Sequence, residues 1–124
     1  MNDEEWRMKN NLILDKTFDF ALEIVRTYKI LVDEKREYVL SKQLLRSGTS
    51  IGANMREANL AISKKEFIAK AQIALKEASE TEYWLQLLVR SSYLSNETQL
   101  ISKANEIIRI LTSIIKSSKE NLNA

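Results

Sequence analysis

No proline and only two glycines occur in 124 residues, and both glycines fall inside one short segment, Gly48-Thr49-Ser50-Ile51-Gly52. Proline and glycine end helices and build tight hairpins, so a chain almost without them has little means of punctuating strands. The abundance of Leu, Ile, Ala, Lys, Glu and Ser completes the prediction of an all-α protein. On a wheel advancing 100° per residue, Leu40, Leu44, Ile51, Met55, Ala58 and Ile62 share one side of the glycine-bearing segment, and Lys35, Lys42, Arg46 and Arg56 share the other. One face is suited to packing and the other to water or a charged partner.

The chain has no histidine and no cysteine, which removes the commonest general base, the commonest zinc ligand, thiol nucleophiles and disulfides. Its first residues, Met1-Asn2-Asp3-Glu4-Glu5-Trp6, are acidic where a secretory signal is basic and then apolar. No apolar run approaches the roughly 20 residues of a membrane span, so a cytoplasmic protein of one domain, residues 1–124, is expected, with residues 1–14 free to fray. The net charge of +2 conceals an uneven distribution: acidic residues outnumber basic ones over residues 1–23, and basic residues outnumber acidic ones over residues 35–76. A basic segment can attract a polyanion or serve only as a solvated face.

Four amphipathic segments can be delimited. The first is predicted from about Asp15 to Val32, with Phe18, Leu22, Val25, Tyr28 and Val32 as its apolar stripe. A polar connection, Asp33-Glu34-Lys35-Arg36-Glu37, leads to a second helix ending near Ala61. Each mid-helix glycine costs about 1 kcal/mol against alanine, so the pair implies either close helix packing or a break between Gly48 and Ser50, and close packing is the preferred reading. Ser63-Lys64-Lys65-Glu66 fits a capping box, and the third helix it opens carries Phe67, Ala71, Ala74, Ala78, Thr81, Leu85 and Leu88 on one face. Asn96-Glu97-Thr98-Gln99 announces a fourth, with Leu100, Ile101, Ala104, Ile107, Ile108, Leu111, Ile114 and Ile115. Short links between such segments predict an antiparallel up-down four-helix bundle.

Some residues interrupt these patterns. Glu82 stands in a row with Ile68, Leu75 and Val89, where a half-buried carboxylate needs a donor, and Arg46 is the natural candidate. Glu57, Glu77, Glu80 and Glu82 raise the question of a carboxylate metal site, but inward-facing sites of that kind pair glutamate with histidine. The glycine segment is no phosphate cradle, because it lacks the following Lys and Ser or Thr of a P-loop. Tyr38, Leu45, Thr49, Ala53 and Leu60 form an outward row on helix two, and Ile73, Trp84 and Leu87 lie opposite the core stripe of helix three. Apolar rows at helical spacing point to a subunit interface and so to a homo-oligomer.

Ser50-Ile51-Gly52-Ala53-Asn54, followed by Glu57-Ala58, resembles the Ser-Ile-x-x-Asn-Ile-x-Glu-Gly signature of the four-helix-bundle proteins encoded in intervening sequences of bacterial 23S ribosomal RNA genes. Ser63, Phe67, Ala71 and Glu82 fall where that family has its Ser, aromatic, Ala and Glu, whereas Met55 and Ala58 depart from its usual aliphatic residue and glycine. The resemblance implies a closed ring of identical bundles, five in number. It also implies kinship with accessory variability proteins of diversity-generating retroelements, which associate with reverse transcriptase and RNA. Carried onto this chain, Arg46, Asn54, Glu57 and Glu82 are the matching polar positions, expected to form a helix-fixing hydrogen-bond network.

The resulting expectation is a non-enzymatic homo-oligomer, with no cofactor and no small-molecule substrate, that binds RNA or an RNA–protein complex through Lys35, Lys42, Arg46, Arg56, Lys64 and Lys65. The alternative is a protein–protein interaction scaffold in which those residues serve solubility. A hydrolase or transferase built on paired glutamates would need a bound metal.

Overall fold

A computed structural model describes residues 2–123 as four helices: α1 (Asp3–Asp33), α2 (Leu40–Asn59), α3 (Lys64–Arg90) and α4 (Leu100–Asn123). Each helix packs against its chain neighbour, and α1 closes the bundle against α4. The register of cross-helix bonds fixes the directions. Trp6, Lys9, Lys16 and Glu23 of α1 meet Ser118, Ser113, Glu106 and Lys103 of α4, so rising numbers on one helix meet falling numbers on the other. Arg46 and Glu57 of α2 likewise meet Glu77 and Lys70 of α3, and Asn10 and Ile24 of α1 meet Asn59 and Gly48 of α2. The bundle is antiparallel and up-down.

α1 begins at Asp3 rather than Asp15, because Asn2 caps it: the Asn2 Oδ1 accepts from the Glu5 backbone N–H at 2.8 Å, and three acidic residues occupy the first turn. Its core face also differs from the expected stripe. Asn10, Ile13, Thr17, Phe20, Ile24 and Leu31 are buried at alternating three- and four-residue spacing, whereas Phe18 and Leu22 are exposed and Val25, Tyr28 and Val32 only half-buried. α1 carries two apolar faces, and sequence periodicity cannot say which of two such faces meets the core.

α2 runs unbroken through Gly48 and Gly52, and the glycines set how near α1 can come. A Cβ at Gly48 would lie 2.8 Å from the Cγ atoms of buried Ile24, and one at Gly52 would lie 3.2 Å from Thr17 Oγ1 and 3.3 Å from the Thr17 carbonyl oxygen. The propensity lost at each glycine is offset by backbone contact no side chain would permit. Leu44, Ile51, Met55 and Ala58 point inward as expected, but Ile62 lies beyond the helix end and is 96% exposed.

The capping box at Ser63 forms: its hydroxyl accepts from the Glu66 N–H at 3.1 Å, and the Glu66 carboxylate accepts from the Ile62 N–H at 3.1 Å. Every residue of the expected α3 stripe is buried, its alanines letting neighbouring helices approach. On α4, Leu100, Ala104, Ile107, Leu111, Ile114 and Ile115 complete the core.

One buried polar residue lay hidden in the connection before α2. Glu37 is 8% exposed, and its carboxylate accepts from the backbone N–H groups of Val39 (3.0 Å), Leu40 (2.8 Å) and Ser41 (2.7 Å). Burial opposes its ionisation, but these donors outweigh burial and hold the carboxyl below its ordinary value of 4.5. The free amides at the N-terminus of α2 are thereby satisfied by a side chain two to four residues upstream.

Candidate interaction surfaces

The seams between helices differ in kind. The α1–α4 seam is polar along its length, with Lys16 paired to Glu106, Lys103 to Glu23 at 2.7 Å, and Lys9 donating to Ser113 at 2.8 Å. The hydrogen bond and charge of Lys16 hold the Glu106 carboxyl below its usual range. The α2–α3 seam is also clasped, by Arg46 on Glu77 (3.2 Å) and Glu80 and by Lys70 on Glu57 (3.0 Å). Among the described residues, no ion pair crosses the α1–α2 seam.

That third seam opens outward as an apolar groove of about 440 Å³. Leu14, Phe18 and Ala21 line it from α1, and Thr49, Gly52, Ala53 and Leu60 line it from α2. Phe18 is 51% exposed and Leu60 77% exposed, and the Arg56 guanidinium sits 5.7 Å above the centre of the Phe18 ring. The groove therefore joins part of the expected α2 interface row to the α1 stripe that was read as core.

The remaining expected interface residues divide in two ways. Tyr38, Ile73 and Leu87 are exposed, whereas Leu45 and Trp84 are half-buried against the core. Trp84 donates its indole N–H to Glu80 at 3.4 Å and meets the Tyr83 ring edge-on at 5.2 Å, so α3 holds a second, smaller aromatic patch. The exposed large apolar side chains are unevenly spread: Met8, Leu12, Phe18, Leu22 and Ile30 lie on α1, and among the described residues none lies on α4.

The six basic candidates do not share one surface. Arg46 is engaged by two carboxylates and Arg56 leans over Phe18. Lys35 and Lys42 are exposed near the start of α2, and Lys64 and Lys65 are exposed past its end. A helix of 20 residues spans about 30 Å, so these two pairs stand at opposite ends of the bundle.

The expected four-residue polar network does not form as one unit. Asn54 donates to the Ser50 carbonyl within α2 at 2.8 Å, Glu57 receives Lys70, and Glu82 is half-buried without a hydrogen bond or ion pair among the described residues. Arg46 turns to Glu77 and Glu80 because Glu82 stands about 140° further around α3 than Glu77, away from α2. Ser50 Oγ also meets Glu77 Oε2 at 3.0 Å, and beneath it the Thr81 and Ser47 hydroxyls bond to each other at 2.9 Å. Glu77 and Glu80 are the interhelix partners that sequence spacing alone did not assign. Among the described residues, no group of three or more acidic side chains could hold a metal ion, and no helix is long and apolar enough to cross a membrane.

The model of the family described as 23S rRNA-intervening sequence protein matches residues 9–113. A solved structure, a protein of unknown function from the S23 ribosomal protein family of Bacteroides thetaiotaomicron VPI-5482, is 55% identical. The match covers 87% of this chain and 98% of that one, with a TM-score of 0.86. No curated protein matches.

Proposed function

We propose, for a chain that belongs to the 23S rRNA-intervening sequence protein family, a non-enzymatic role in which the bundle assembles with copies of itself and presents the assembled surface to a partner. The observation that carries this reading is the unequal treatment of α1 and α4. α1 exposes five large apolar side chains beside an apolar groove, and α4 exposes none among the described residues. A monomer gains nothing from one wet apolar helix; an assembly buries it.

A nucleic-acid role would be built on that assembly. Lys35, Lys42, Lys64 and Lys65 are exposed and have no ion-pair partner among the described residues, and a ring would repeat them in every subunit. Repetition raises the effective affinity of a weak phosphate contact. Their separation into two pairs favours the scaffold role over a single RNA-binding face.

Light scattering at micromolar concentration tests the assembly, with a mass several times 14.3 kDa expected and a monomeric mass contradicting it. Fluorescence anisotropy of a labelled structured RNA at low and physiological salt then separates the two uses. Binding that falls steeply with salt supports the nucleic-acid role, and no binding at either salt leaves the protein scaffold.

A further inference from the structure

The α1–α2 groove is flanked by charges of opposite sign that find no partner in their own chain, and from this we infer that the acidic crest of α1 in one copy docks on the basic outer face of α2 in a second copy. Asp15 and Asp19 are exposed on α1 beside Phe18 and Leu22, and Lys42 and Arg56 are exposed on α2 beside Ala53 and Leu60. None of the four charged residues joins an ion pair among the described residues, although each of the other two clasped seams holds its ion pairs within the chain. This inference rests on the self-assembly reading and names the surfaces that meet.

The pieces fit a second copy for three reasons. Met8, Leu12 and Leu22 give the α1 crest an apolar body between its carboxylates, matching the apolar floor that Thr49, Ala53 and Leu60 provide. Arg56 already has its guanidinium held over Phe18, so less of its side-chain freedom is lost when a carboxylate arrives. The two faces lie on different helices, so the contact is head-to-tail. Outward directions of adjacent helices in a square bundle diverge by about 90°, and a head-to-tail contact with that turn closes into a small ring instead of a filament. Opposite charge at the rim sets register and excludes mismatched docking, while the apolar centre supplies the affinity. In this arrangement Lys42 and Arg56 face a protein carboxylate and not a phosphate.

Charge reversal tests the contact. Asp15→Lys with Asp19→Lys, and separately Lys42→Glu with Arg56→Glu, are each expected to lower the mass seen by light scattering to that of the monomer, with helical circular dichroism unchanged. The four substitutions together are expected to restore the wild-type mass, which a merely destabilised fold would not do. A monomeric wild type would overturn the assembly reading itself. An assembled wild type whose mass is unmoved by either reversal, or a fourfold variant that stays monomeric, would overturn the docking mode alone.

Discussion

α1 and α4 run antiparallel along the same seam and contribute comparable apolar faces to one core, yet they meet the outside differently. α4 is amphipathic in the simple sense: Leu111 and Ile114 are buried, and Thr112 and Lys116 on the far side are exposed. α1 repeats the inner pattern with Ile13, Phe20 and Ile24, then adds a second apolar row on its solvent side. A helix built only to close a bundle needs one stripe. The second stripe on α1, continuous with the small-residue face of α2, is what an interface requires and a core does not.

The inner faces should prove equivalent and costly to disturb. Ile24→Ala and Ile114→Ala each remove a fully buried side chain, and urea denaturation should show a loss of about 2–5 kcal/mol for both. A large difference between them would mean the two helices do not share one core. The outer faces should then part company. Phe18→Ser with Leu22→Ser is expected to dissociate the assembly, and Thr112→Ser with Lys116→Ser on α4 is expected to leave its mass unchanged.

The entries to the helices sharpen the contrast next. α2 is opened by a buried carboxylate with three backbone bonds, whereas the Leu100 N–H at the start of α4 is met by the Thr98 hydroxyl alone, at 3.3 Å. Glu37→Gln should cost about 1–3 kcal/mol, the range for hydrogen bonds to a charged group, and Thr98→Ala about 1 kcal/mol or less. Because the folded state lowers the Glu37 pKa, its contribution is complete above the ordinary value of 4.5 and is lost as pH falls through the lower folded value. Acid titration of stability should therefore show a shallower fall for Glu37→Gln than for the wild type.

Smaller effects are expected where helices nearly touch and where they are clasped at the surface. Gly48→Ala forces a Cβ into Ile24, and a strain of about 1–3 kcal/mol outweighs the helix propensity it restores. Gly52→Ala meets Thr17 less closely and should stay within about 1 kcal/mol of neutral. Lys16→Ala on the α1–α4 seam removes a solvent-screened ion pair and should cost no more than about 1 kcal/mol, less still in high salt.

The architecture was open to reading because each level agreed with the next. The seven inward residues of α3 announced themselves by spacing, its cap by Ser63 and Glu66, and the close approach of α1 to α2 by the placement of Gly48 and Gly52. α1 resisted for a definite physical reason. Its two apolar faces each satisfy helical periodicity, and only the burial of Phe20 and Ile24, with Phe18 and Leu22 outside, distinguishes them. The early start of α1 was signalled by Asn2 and Glu5, a cap pattern with no apolar run immediately behind it. Partners of Arg46 could not be read from a motif, because whether it reaches Glu77, Glu80 or Glu82 depends on the rotation of α3 about its own axis. Glu37 was concealed by a run of charged neighbours that are exposed, Asp33, Glu34, Lys35 and Arg36, among which one buried carboxylate leaves no compositional trace.

The central claim is that the outer face of α1 is covered in the assembled protein and that of α4 is not. The absence of cysteine makes it directly measurable, by thiol-labelling rates of Leu22→Cys and Thr112→Cys across a concentration series. The account predicts slow labelling at position 22 and fast labelling at position 112 when the protein is concentrated, converging as dilution releases subunits. Equal rates at every concentration, in protein of multimeric mass, would contradict it.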